Sequence, residues 1–126
     1  MDAVTLGERE LDVMTILWQR SSGTVAEVQE ALSVTLAYTT VLTMLRNLEA
    51  KGFVRREEEG RAHRYFPKVK QRAEQRRALR RLIDTLFLGS PEALLSQLVD
   101  DHALSPTELR RIAKKLVAAR DEEDTP

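Results

Sequence analysis

Residues 37–67 read AYTTVLTMLRNLEAKGFVRREEEGRAHRYFP. Their apolar spacing changes partway along, and the change decides the fold. At about 100° per residue, Ala37, Val41, Met44, Leu45 and Leu48 share one side of a helix, with Leu42 at its margin. The opposite side collects Thr39, Thr43, Arg46 and Ala50, flanked by Thr40 and Asn47. Lys51 and Gly52 supply a cation and a glycine where such a helix should stop. Beyond them Phe53–Glu57 and Arg61–Phe66 read as two strands of a hairpin joined through Glu58, Glu59 and Gly60, and Pro67 ends the second strand.

Upstream, two capping boxes mark helix starts. Thr5-Leu6-Gly7-Glu8 opens a helix carrying Leu6, Leu11, Met14, Ile16, Leu17 and Trp18, which stops at the turn Ser21-Ser22-Gly23. Thr24-Val25-Ala26-Glu27 opens a short one, Val25 to Leu32. For the third helix, Ser33 or Thr35 is the candidate cap. Three helices followed by a hairpin is the element order of a winged helix-turn-helix, in which the third helix enters the major groove of DNA. Downstream, a helix from Lys68 runs to Gly89, and two more begin at Ser90-Pro91 and Ser105-Pro106, with serine at the N-cap and proline at the first helical position.

The expected fold is thus mostly α with a small β-hairpin. A winged helix-turn-helix domain (1–68) precedes a three-helix C-terminal dimerisation region (69–120) and a flexible acidic tail (121–126). The helices after residue 69 carry apolar stripes too thin to bury within one chain: Leu79, Leu82, Ile83, Leu86, Phe87, Leu94, Leu95, Leu98, Ile112 and Leu116. Burial between two copies is the economical solution, and it makes the homodimer an expected partner state.

The 126 residues carry no net charge, but its distribution is uneven. From Arg46 to Arg81 there are thirteen basic and five acidic residues, a local net of +8. That is the footprint of a chain presenting one face to a polyanion. The threonines of the third helix support it. Threonine costs a helix a few tenths of a kcal/mol relative to alanine, and a solvated face usually carries Glu and Lys. A carboxylate-free face of hydroxyls, an amide and an arginine suits a groove: threonine offers its methyl to thymine, arginine forks onto guanine, asparagine pairs with adenine. The candidate DNA-binding residues are Tyr38, Thr39, Thr40, Thr43, Arg46, Asn47, Arg61 and Arg64, with Arg61 beside the hairpin glycine the leading wing contact. Glu57, Glu58 and Glu59 read as a solvated turn and stand against this, placing negative charge at the wing tip.

Other chemistries find little footing. There is no cysteine, which removes disulfides and thiolate ligands together. His63 and His102 are far apart without a spaced carboxylate set, so no metal or other cofactor is expected. No phosphate loop or catalytic constellation occurs, so no enzymatic activity is expected. The absence of a long apolar run or leader-like start leads us to expect a cytoplasmic protein without direct membrane binding. A winged-helix module that docks on protein and binds no DNA is the alternative, since a fold alone does not fix function.

The segments LGERELDVMTILW, TVAEVQEAL, LAYTTVLTMLRNLEAKGFV, RAHRYFP, LFLGSPEALLSQLV and LSPTELRRI, in this order and spacing, resemble the bacterial penicillinase-repressor family, the BlaI/MecI/CopY group. The resemblance implies a homodimeric repressor on a palindromic operator, with Tyr38, Thr39, Thr40, Thr43 and Arg46 facing DNA. It also implies a membrane-bound sensor metallopeptidase as partner, which triggers cleavage of the repressor. Where the β-lactam-responsive members are cut at Asn-Phe, this chain has Gln97-Leu98. Copper-responsive members carry C-terminal cysteines, which this chain lacks.

Overall fold

The computed structural model describes residues 6–123. The order is α1 (Glu8–Arg20), β1 (Gly23–Thr24), α2 (Val25–Ala31), α3 (Tyr38–Ala50), β2 (Val54–Glu59), β3 (Ala62–Pro67), α4 (Gln71–Leu86), α5 (Pro91–Asp100) and α6 (Pro106–Glu123). The expected mostly helical, winged architecture is present. The chain divides into two compact units, Met1–Arg76 and Arg77–Pro126. The division lies inside α4.

In the first unit, α1 begins later than its sequence suggests. Gly7 is the N-cap and its amide donates to Glu10 Oε1 at 2.9 Å, so Glu10, not Glu8, closes the first turn; the expected cap, Thr5, lies outside the described residues. Glu8 and Glu10 at its start and Arg20 at its end match the helix dipole. α2 starts as expected: Glu27 N donates to Thr24 Oγ1 at 3.2 Å, and Thr24 N to Glu27 Oε1 at 2.9 Å. Seven residues do not make a helix stable alone. Packing holds it, through Val25 and Val28, within a core of Val13, Met14, Leu17, Val41, Leu45, Leu48, Phe53, Val54 and Tyr65. Each such side chain contributes about 1.5–3 kcal/mol.

The hairpin is one edge of a three-stranded sheet, ordered β1-β3-β2. β1, made of the expected turn residue Gly23 and the α2 cap Thr24, pairs Gly23 with Tyr65 and Thr24 with Arg64. Glycine fits closely there, since a Cβ at residue 23 would stand 3.2 Å from Val28 Cγ2 and 3.3 Å from Leu17 Cδ2 and would oblige those side chains to give way slightly. β2 and β3 pair from Val54↔Pro67 to Glu59↔Ala62, leaving a turn of only Gly60 and Arg61. Gly60 takes φ 61°, a conformation side chains resist. Glu57, Glu58 and Glu59 are therefore strand residues and not the turn.

In the second unit, Ser90 Oγ accepts from Ala93 N at 3.1 Å, and Ser105 and Glu108 form a reciprocal cap at 3.1 and 3.2 Å. These caps hold Glu108 below the usual carboxylate pKa, the Ser105 hydroxyl first and its amide second. Of the stretch expected to be a tail, Asp121–Glu123 continue α6, and 124–126 lie outside the described residues. No described residue of this unit is buried, and its stripe faces solvent: Leu86 is 72% and Leu116 59% exposed.

Candidate nucleic-acid interface

α3 buries Val41, Leu45 and Leu48 completely and leaves Tyr38, Thr39, Thr40, Thr43, Arg46 and Asn47 exposed. The division follows the helical period of the sequence. Its N-cap is Ala37, which makes no side-chain cap, in place of Ser33 or Thr35. The preceding turn is instead held from α2, where Gln29 Nε2 donates to Leu36 O at 2.9 Å. At the other end Phe53 N donates to Leu48 O at 2.9 Å, and Lys51 Nζ lies 2.6 Å from Glu10 Oε1 of α1. Burial raises the Glu10 pKa, but Lys51 and the Gly7 amide outweigh it, so the carboxyl lies below its usual value. Neither end contact was evident from the sequence, because glutamine–carbonyl and lysine–glutamate pairs at long separation leave no local pattern.

Thr43 Oγ1 donates to Thr39 O at 2.9 Å. Its proton is thus committed to the helix backbone, while its methyl and its lone pairs stay available on the exposed face. Arg46, at the centre of that face, forms no ion pair among the described residues. The face carries no carboxylate from Tyr38 to Leu48.

On the wing the arginines diverge in role. Arg55 lies over its cross-strand neighbour Phe66, 4.3 Å from the ring centroid, and pairs with Glu57 at 2.5 Å. Arg56 pairs with Glu49 of α3 at 3.4 Å. Arg64, expected to touch DNA, is turned to other partners: Glu27 at 2.9 Å, Glu59 at 3.0 Å and Ser22 Oγ at 3.2 Å. Glu59 and then Glu27 raise its pKa further, and the Thr24 amide and then Arg64 hold Glu27 below the usual carboxylate range. Arg61, at the turn, is exposed and forms no ion pair among the described residues. The glutamates that stood against a DNA-facing wing are thus taken up in part by its own arginines.

Of the ten residues assigned to a second copy, Leu79, Leu82, Leu86, Leu95, Ile112 and Leu116 are exposed, and Ile83, Phe87, Leu94 and Leu98 half-buried. Gln97 and Leu98 lie within α5, where Gln97 O accepts from Asp101 N at 2.9 Å and Leu98 O from Ala103 N at 3.0 Å. Among the described residues there is no group of side chains that could hold a metal ion, and no helix is long and apolar enough to cross a membrane.

Residues 6–118 match the family model for the penicillinase repressor. The transcriptional regulator BlaI of Mycobacterium tuberculosis is 49% identical over 65 residues, 49% of this chain and 47% of that protein. The chain spans about half the length of the mycobacterial relatives it matches. The penicillinase repressor of Bacillus licheniformis is 26% identical over 109 residues, 85% of each chain. Among solved structures, the DNA-binding domain of the repressor BlaI superposes with a TM-score of 0.50 at 33% identity, covering 56% of this chain and 88% of that one.

Proposed function

This chain belongs to the penicillinase repressor family, and on that premise we propose that it is a sequence-specific DNA-binding transcriptional repressor. It acts as a homodimer on a pseudo-palindromic operator, with one α3 in the major groove of each half-site. The observation that carries this is the exposed, carboxylate-free face of α3, on a helix fixed at both ends. Arg46 forks onto a guanine, Asn47 reads an adjacent base, and the Thr39, Thr40 and Thr43 methyls and hydroxyls fit close to base edges. Tyr38 stands at the helix start, within reach of the backbone. Arg61 contacts phosphate from the wing, and Arg64 acts through the fold by mooring the wing to α2.

The exposed stripe of the second unit supports the homodimer, because apolar faces of this size seek a partner and a two-fold axis mirrors operator symmetry. No catalytic step is assigned to the protein. A sensor metallopeptidase is its proposed antagonist, and cleavage at Gln97–Leu98 would require the last turn of α5 to unwind first.

Gel-shift and footprinting with duplex from upstream of its own gene test the reading. At about 0.15 M salt the protein should prefer that duplex to a scrambled one by about 10³ or more. Equal affinity for both would sink the repressor. Retained function with Thr43→Glu or Arg46→Glu would favour a protein-docking winged helix instead.

A further inference from the structure

The structure redistributes the positive charge of residues 46–81. Lys51, Arg55, Arg56 and Arg64 have carboxylate partners within the fold, so most of the wing carries little surplus. The surplus lies after it. Lys68, Lys70, Arg72 and Arg76 are exposed and form no ion pair among the described residues. The one carboxylate in that stretch, Glu74, is buried at 9% exposure.

The segment that leads into these cations is anchored to the core of the first unit. Lys68 N donates to Phe53 O at 2.8 Å, Val69 O accepts from Trp18 Nε1 at 2.9 Å, and the Val69 side chain packs against the core. With Val69 turned inward, Lys68 and Lys70 project outward on either side of it. Local stability does not account for them: cations at the start of a helix oppose its dipole, where Asp or Glu would stabilise by about 0.3–1 kcal/mol each.

We propose that Lys68, Lys70, Arg72 and Arg76 form a second DNA-contacting surface, engaging backbone phosphates that neither α3 nor Arg61 reaches. The proposal rests on the repressor reading above. Duplex DNA carries about one charge per 1.7 Å of axis, so four neighbouring exposed cations can meet several phosphates. An anionic membrane is the poorer match, because residues 68–76 offer no outward apolar side chain larger than Ala73 to insert.

The test is a salt titration of binding to two fluorescent duplexes, one from upstream of the protein's own gene and one scrambled. The triple variant Lys68→Gln, Lys70→Gln, Arg72→Gln should show a slope of log K against log salt shallower by about 0.9 per lost contact, about two to three for each bound subunit. Its preference between the duplexes should match wild type. Arg76→Gln alone, with unchanged circular dichroism, should lower the slope by about 0.9 for each bound subunit and guards against misfolding of the triple variant. Unchanged slopes in both variants overturn the proposal. If the wild type shows no preference between duplexes, the repressor reading fails by itself; the surface is then judged on the scrambled duplex, where a shallower slope supports it and an unchanged one overturns it. Loss of binding to phosphatidylserine vesicles with unchanged DNA slopes overturns it in favour of a membrane.

Discussion

Arg64 of β3 reaches Glu27 in the first turn of α2, Nη1 to Oε1 at 2.9 Å, and so joins the wing to the helix that precedes α3. The same guanidinium holds Glu59 near the wing tip. One side chain therefore couples the helix-turn-helix to the hairpin.

Arg64→Ala should cost little stability, since the Glu27 and Glu59 partners are exposed. Operator affinity should nonetheless fall several-fold as the wing loses its mooring. Arg64→Lys should restore it only in part, because a compact ammonium lacks the planar fork that spans Glu27 and Glu59. Urea denaturation and gel-shift on the same samples separate the two effects.

Arg46→Ala should cost about 1–3 kcal/mol of discrimination at one base pair and relax specificity there. Thr43→Val should bind within a few-fold of wild type, because the hydroxyl proton is already given to Thr39 O and valine keeps the outward methyl. A large loss with valine would mean that the Thr43 oxygen itself accepts from the DNA. Competition with single-base operator variants measures both.

Tyr65 is fully buried and its hydroxyl has no hydrogen-bond partner among the described residues. A desolvated, unsatisfied hydroxyl costs about 1–3 kcal/mol. Tyr65→Phe should leave the urea midpoint unchanged or raise it. A drop in stability of more than about 1 kcal/mol would show that the oxygen is satisfied.

Glu10 and Glu27 both have pKa values below the usual carboxylate value in the folded protein. Their contribution to stability is complete above the unfolded pKa, about 4.3, and is lost as pH falls through the lower folded values. The urea midpoint of the winged-helix unit should be insensitive to these groups near neutrality and decline below about pH 4.5. Glu10→Gln should lower the midpoint at pH 7 and flatten the acid decline. An equally steep decline in that variant would show that Glu10 makes no contribution.

Leu86→Asp and Leu116→Asp should each yield a monomer by sedimentation at micromolar concentration. Without a linked second half-site, operator affinity should fall about 100-fold or more, while half-site binding persists. An unchanged sedimentation coefficient would place the subunit contact elsewhere.

The features readable from sequence were those written in short windows. Thr24 and Glu27, Ser90, and Ser105 with Glu108 are caps whose donors and acceptors lie within three residues of one another. The buried and exposed sides of α3 follow from its period. β1 was not legible, because two residues carry no alternation. The position of the wing turn is hidden in the sequence because three glutamates look like a loop by composition. They are held in β2 by pairing with β3, and two of them by arginines as well. Arg64 was legible as a cation but not in its role, since Ser22 and Glu27 reach it only through the fold.

The anchoring of α3 by Gln29 at one end and Lys51 at the other bears on kinetics. A reading element already ordered in the free protein loses little conformational entropy on docking. Encounter with DNA should then be limited by diffusion and orientation, with no slow ordering phase before it. Operators of different affinity should accordingly differ mainly in how long the repressor stays, and little in how quickly it arrives.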